Sequence, residues 1–212
     1  MSIQSITDRL IREFDRSLRT LTKSSRHAQR SNPAELLDES ALSAKETQLS
    51  GRLMRVNHAG EIAAQGLYHG QALTAKHATT LNQMQISAKE EEDHLAWCEQ
   101  RLNELHTPRS FISPVWYVGS YAIGATAGLF GDHWSLGFVA ETEDQVEKHL
   151  EGHLQKLPSH DLKSRAIIKK MKQDEHQHGK SARDLGGKPL PAPVQKAMRL
   201  MSKVMTTGAY WI

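Results

Sequence analysis

Apolar positions recur every three or four residues along most of the chain, and no stretch alternates with the period of two that a half-buried strand requires. Ile3, Ile6, Leu10, Phe14, Leu18 and Leu21 follow this spacing among basic residues and predict an amphipathic helix over residues 3–21. The polar run from Lys23 to Pro33 reads as a linker. Long helical segments follow from Ala44 to Lys76 and from Leu81 to Leu105, with Pro108 stopping the second. Two more run from Asp132 to Leu157, ended by Pro158, and from Ser159 to Leu185, ended by Gly186 and Gly187. Beyond KPLPAP, the tail from Val194 sets Met198, Met201, Val204 and Met205 on one side, with Lys196, Arg199 and Lys203 largely on others. The pattern predicts an all-α fold.

Between Arg109 and Asp132 lie 22 residues without a charge, SFISPVWYVGSYAIGATAGLFG. That length reaches across the hydrocarbon core of a bilayer. Pro114 and four glycines make insertion only marginally favourable, so a bundle helix that is buried or faces a membrane is preferred to a true span. The chain of 212 residues accommodates one main domain over residues 45–212, preceded by the amphipathic helix and linker of residues 1–44.

Charge and cysteine content narrow the function classes. With 27 basic against 24 acidic residues the net charge is +3, and no local basic cluster marks a nucleic-acid footprint; anionic lipid remains a partner class. The single cysteine, Cys98, excludes an internal disulfide framework and all-cysteine metal sites. A reducing cytoplasm is the simplest setting for that cysteine usage, and the opening MSIQSITDRLIREF, which lacks an apolar signal core, does not suggest export.

Candidate chemistry sits in two stretches, EEEDHL (Glu90–Leu95) and DEHQHG (Asp174–Gly179), each holding Glu-x-x-His: Glu91 with His94, and Glu175 with His178. Spacing of three puts both side chains on one helix face. Random placement gives about one such pair in a chain of this composition, so placement must carry the argument. On a helical wheel Glu91 shares its face with Met84, Ala88, Leu95, Cys98, Leu102 and Leu105, whereas Glu90 and Glu92 point away. Glu175 shares its face with Ile168, Met171 and Ala182, and Asp174 and His176 diverge. Glu143 sits at the centre of an apolar line running from Leu136 to Leu157, and Glu61 lies on a face with Met54, Ala64, Tyr68 and Ala72. An ionised carboxylate in a core costs several kcal/mol unless its charge is opposed. The order is a twofold repeat, a helix bearing Glu followed by a helix bearing Glu-x-x-His. Four antiparallel helices would bring together four carboxylates and two imidazoles, the ligand set of a dinuclear carboxylate-bridged centre whose two divalent cations balance four negative charges.

NHAGE (Asn57–Glu61), EEEDHL, VAETE around Glu143 and DEHQHG, in this order, resemble the demethoxyubiquinone hydroxylases of ubiquinone biosynthesis. The resemblance covers the chain from about Arg52 onward. It implies a ferritin-like four-helix bundle with additional membrane-facing helices, and a di-iron monooxygenase that uses dioxygen to hydroxylate the ring of a polyprenylated methoxy-benzoquinol. It carries over Glu61, Glu91, His94, Glu143, Glu175 and His178 as ligands of two iron(II) ions, with Glu91 and Glu175 bridging. It further implies a peripheral location on the cytoplasmic face of the cell membrane, an electron donor that the chain does not specify, and other quinone-biosynthesis proteins or a second copy of the chain as partner candidates.

Around this set, His149 reads as a surface histidine in preference to a relay, Cys98 as a packing thiol, and Tyr68 as core or as a partner for a carboxylate. Ferroxidase or iron-storage action and a non-catalytic membrane-surface adaptor are the competing functions, and manganese accepts the same donors as iron. The uncharged segment and amphipathic tail weigh against a storage cage, and the complete ligand set weighs against a vestigial site.

Overall fold

The computed structural model describes residues 3–22, 28–38 and 41–212. These form seven helices, α1 (Ile3–Thr22), α2 (Ala44–Thr74), α3 (Ala78–Glu104), α4 (Ser113–Leu129), α5 (Asp132–Lys156), α6 (Leu162–Asp184) and α7 (Ala192–Trp211), with no strand among the described residues. The side chains of Ile3, Ile6 and Leu10, and the first five residues of the Lys23–Pro33 run, lie outside the described residues.

Local chemistry sets the helix ends. A capping box opens α2: Ser43 Oγ accepts from the Glu46 N–H at 3.4 Å, and Glu46 Oε2 accepts from the Ser43 N–H at 2.9 Å. Asp161 Oδ1 caps α6 by accepting from the Ser164 N–H at 3.1 Å. Gly186, at φ +93°, closes α6 as the Gly187 N–H turns back to the Ala182 carbonyl at 3.0 Å.

Helices α2 and α3 form one hairpin and α5 and α6 a second; α3 packs on α6 and α2 meets α5, which closes an all-helical, ferritin-like bundle. Its interior has three layers. One apolar cluster holds Met54, Cys98, Leu150 and Met171, and a second holds Tyr68, Met84, Val139 and Ala182. Every bundle helix contributes to both clusters, and on each helix the glutamate named above falls between them. Antiparallel alternation therefore stacks four carboxylates in one band with an apolar seal on either side.

The uncharged stretch becomes α4, which packs lengthwise on α2 outside the bundle. A Cβ at Gly66 or Gly70 would overlap the Tyr117 or Tyr121 carbonyl, and one at Gly124 would overlap that of Leu67. These glycines let two backbones meet, and a methyl group would force them apart. Among the described residues no helix is long and apolar enough to cross a membrane.

Helix α7 lies over α2 and α5 with Ala209 as its one buried residue. Arg55 anchors its end, donating to the Ala209 and Tyr210 carbonyls at 2.8 and 2.6 Å. The tail differs from the sequence reading: Met201 and Val204 face outward, whereas Met205 turns toward the bundle, because α7 docks along Ser202, Met205 and Ala209. Residues 28–38, within and just beyond the polar run, also dock on the bundle, with Ala34 buried in its core.

Candidate metal centre

The six residues singled out in the sequence converge in the polar band, and none is more than 4% exposed. Ligand atoms of Glu61, Glu91, His94 and Glu175 lie within 4.8 Å of one another, and so do those of Glu91, Glu143, Glu175 and His178. Glu91 and Glu175 belong to both groups. Glu61 and His94 belong only to the first, Glu143 and His178 only to the second. Each group could hold a metal ion, and the two groups share two carboxylates.

Each imidazole turns Nδ1 toward the centre. His94 Nδ1 is 2.8 Å from Glu91, 3.3 Å from Glu175 and 3.6 Å from Glu61. His178 Nδ1 is 3.2 Å from both Glu91 and Glu175. The outer nitrogens are held crosswise: His94 Nε2 is 2.9 Å from Asp174 Oδ2, and His178 Nε2 is 2.5 Å from Glu90 Oε2. An Nε2–H donated outward fixes the tautomer that leaves the Nδ1 lone pair facing the carboxylates, where a cation could take it. Each motif thus supplies the carboxylate that orients the other motif's histidine.

Glu90 and Asp174 correct the wheel, which turned both away from the site. They flank the α3–α6 seam, and their side chains reach across it rather than out from their own helix axis. The available signal was an acid directly before each glutamate of the Glu-x-x-His pairs. Tyr68 does bind a carboxylate, donating at 2.5 Å to Glu143 across the bundle and not to Glu61 on its own helix.

Burial governs the charges of the band. It pushes Glu61 and Glu143 well above the usual carboxylate range, and the neighbouring charges of Glu91 and Glu175 add to the effect. Burial acts on Glu91 in the same direction, but the His94 and His178 rings overcome it and hold this carboxyl well down. Burial would lower His94, yet Glu91, Asp174, Glu175 and Glu61 raise it well above an ordinary imidazole. Among the described residues Glu61 Oε2 and Glu91 Oε1 are buried without a directed hydrogen bond, with the His94 and His178 Nδ1 atoms 3.6 and 3.2 Å away. Buried acceptors left this way carry a desolvation cost that a cation between them removes, so the donor set fits a pair of metal ions.

A cavity of ≈ 50 Å³ reaches the glutamates from between α2, α5 and α7, with Asn57, Gly60, Val146, His149, Leu150 and Met205 among its walls. It has room for a few water molecules. His149 is part of this wall and not a surface residue: its Nε2 is buried without a hydrogen-bond partner among the described residues, its ring centre lies 4.0 Å from that of His153, and burial pulls it down to about 4. Cys98 is a buried packing thiol, its Sγ 3.7 Å from Met171 Sδ, outside both ligand groups.

Fold and site together define an all-helical, ferritin-like bundle with a buried cluster of glutamates and histidines suited to holding metal. Residues 48–209 match the family described as Ubiquinone biosynthesis protein COQ7, and the chain belongs to that family. It is 53% identical over 205 residues to the 3-demethoxyubiquinol 3-hydroxylase of Nitrosococcus oceani, covering 97% of this chain and 96% of that one. It is 54% identical over 207 residues to the enzyme of the same name from Cupriavidus taiwanensis, covering 97% and 100%.

Proposed function

We propose that the chain is a 3-demethoxyubiquinol 3-hydroxylase, a di-iron monooxygenase of ubiquinone biosynthesis. The observation that carries this reading is the pair of overlapping ligand groups that share Glu91 and Glu175, in a chain whose relatives bear that name over nearly its whole length. Glu61, Glu91 and Glu175 with His94 would hold one iron, and Glu91, Glu143 and Glu175 with His178 the other. Reduced iron with open coordination positions supplies dioxygen activation, which side chains alone cannot perform. The reaction converts a ring C–H to C–OH and reduces the second oxygen atom to water, consuming two electrons and two protons. The electrons come from a donor outside this chain.

The protein's own groups exclude water and steer protons. The two apolar clusters close the band above and below, and the cavity walled by Asn57, His149 and Met205 offers a route to it. At ≈ 50 Å³ that space is too small for a substituted benzoquinol ring, so substrate entry by this route requires α7, which carries Met205, to give way. Tyr68 orients Glu143 and can return a proton to it.

The substrate's polyprenyl chain resides in lipid, and the enzyme works there as a peripheral protein at the cytoplasmic face. Exposed apolar side chains support this: Ile11 and Phe14 on α1, Val115 and Val118 on α4, and Leu200, Met201 and Val204 on α7 are each at least 56% exposed. Both outer helices adjoin α4, through Ser17 to the Tyr117 hydroxyl at 3.0 Å and through a Gly208 that faces Ile112 and Trp116. Lys196 and Lys203 would meet anionic headgroups, while Arg199 lies 3.6 Å from Glu141 of α5.

Metal analysis of the purified protein, combined with quinone profiling of a strain lacking its gene, tests the proposal. Two irons per chain and accumulated demethoxyubiquinone are expected. Normal quinones with disturbed iron content would instead select storage.

A further inference from the structure

Arg30 precedes the region matched to the family and lies in the segment between α1 and α2. Its guanidinium is nevertheless fixed at the outer edge of the site. Nε donates to Asp93 Oδ2 at 2.7 Å, Nη1 to Asp174 Oδ2 at 2.8 Å, and Nη2 to the Glu90 carbonyl at 3.3 Å. The group lies 5.0 Å from the centre of the Trp97 ring, and the Gln29 N–H adds a bond to Asp93 Oδ1 at 2.6 Å. The oxygen of Asp174 that Arg30 holds is the same one that faces His94 Nε2, and Lys170 takes the other oxygen at 2.6 Å. Asp174 is thereby locked in place. Among the described residues the opposite half of the site has no equivalent clamp: Glu90, the partner of His178, keeps a side chain 40% exposed, and Arg30 touches only its backbone.

We infer that Arg30 is a positioning residue that makes the two cation positions unequal, tightening the one at Glu61 and His94 through Asp174 and leaving the one at Glu143 and His178 looser. The inference rests on reading the site as dinuclear. A forked guanidinium orders a carboxylate in a way that a flexible ammonium does not, and groups that orient a metal-bound histidine are worth roughly 10- to 100-fold in metal affinity. The effect is confined to one position because Asp174 meets His94 and not His178.

The test is titration of the full-length apo protein with cobalt(II), followed by calorimetry and by visible absorption. Wild-type protein should take up two ions in a tighter and a weaker step, and Glu61→Ala and Glu143→Ala identify the steps by each deleting one. Arg30→Ala should weaken the step that Glu61→Ala deletes by roughly 10- to 100-fold and leave the other unchanged. Arg30→Lys should recover only part of that loss. Asp93→Asn, which disturbs Arg30 without touching a ligand, should weaken the same step by a smaller factor, and these two variants carry the test if Arg30→Ala does not melt cooperatively. Equal weakening of both steps, weakening of the Glu143 step alone, or no change overturns the inference. Uptake of fewer than two ions by the wild type overturns the dinuclear reading and the positioning role with it; two ions in the wild type with an unchanged variant overturns the positioning role alone.

Discussion

Glu143→Ala separates one cation position from the other, since Glu143 belongs to the ligand group of Glu91, Glu175 and His178 and not to that of Glu61. A ligand that binds only the native state stabilises it by RT ln(1 + [L]/Kd), about 2.7 kcal/mol per site at a hundredfold excess over Kd, and so about 5.4 kcal/mol for two independent sites. Unfolding entropy near 2.1 cal/mol/K per residue gives about 450 cal/mol/K for this chain of 212 residues, so each kcal/mol moves Tm by about 2 °C. Saturating iron should raise the wild-type Tm by about 12 °C and that of the variant by about 6 °C. Two opposing effects act on the apo variant. Deletion strands the buried Tyr68 hydroxyl, at a cost of about 1–3 kcal/mol, but removes a carboxylate that burial already disfavours in its charged form. The apo melting points should therefore agree to within a few degrees. Anaerobic calorimetry with iron(II) and with chelator reads these shifts, while iron content and quinol hydroxylation should fall together. Glu92→Ala is the matched control, exposed beside Glu91 on the outer side of α3. A full two-site shift with full turnover in Glu143→Ala refutes the assignment.

Gly70→Ala should lower stability by about 1–3 kcal/mol, because its methyl group meets the Tyr121 carbonyl, whereas Gly119→Ala, with open space around it, should be neutral or mildly stabilising; equal denaturation midpoints for the two would contradict the backbone contact between α2 and α4. Burial would raise the Asp132 carboxyl, but bonds from the Lys76 and His77 N–H groups and the His77 ring outweigh it and bring it to about 2. A native value below the unfolded one means that this stabilisation is present above about pH 4 and is lost as pH falls through about 2; Asp132→Asn should cost about 1–2 kcal/mol at pH 7 and flatten the acid limb of stability against pH, and an unchanged limb in urea titrations counts against it. Replacing Leu200, Met201 and Val204 with Gln should leave folding and iron content intact while weakening binding to anionic liposomes and hydroxylation of long-chain quinol; undiminished liposome binding would remove α7 from the membrane contact.

What the sequence by itself determined is what one helix can carry alone. Residues three or four apart share a face whatever that face later meets, so the apolar stripes and the carboxylates set into them were legible, and Met84, Leu95, Leu102, Ile168 and Met171 are all buried as their stripes require. The repeated order of Glu and Glu-x-x-His was enough to name the six residues that converge. Tertiary structure decided everything that depends on the reach between helices. A wheel places Glu90 and Asp174 off the core axis, but only the seam between α3 and α6 brings each to the other motif's histidine. Tyr68 could have served any neighbouring carboxylate until the crossing of α2 and α5 selected Glu143. Gly124 and Gly128 of α4 look like poor membrane formers in one dimension and become a contact surface for α2 in three. Arg30 lies in a run whose composition reads as linker, and its function at the site exists only because the chain folds back over Asp93 and Asp174. Periodicity is a property of a single helix, whereas these contacts arise from the rotation and separation of helices that packing alone sets.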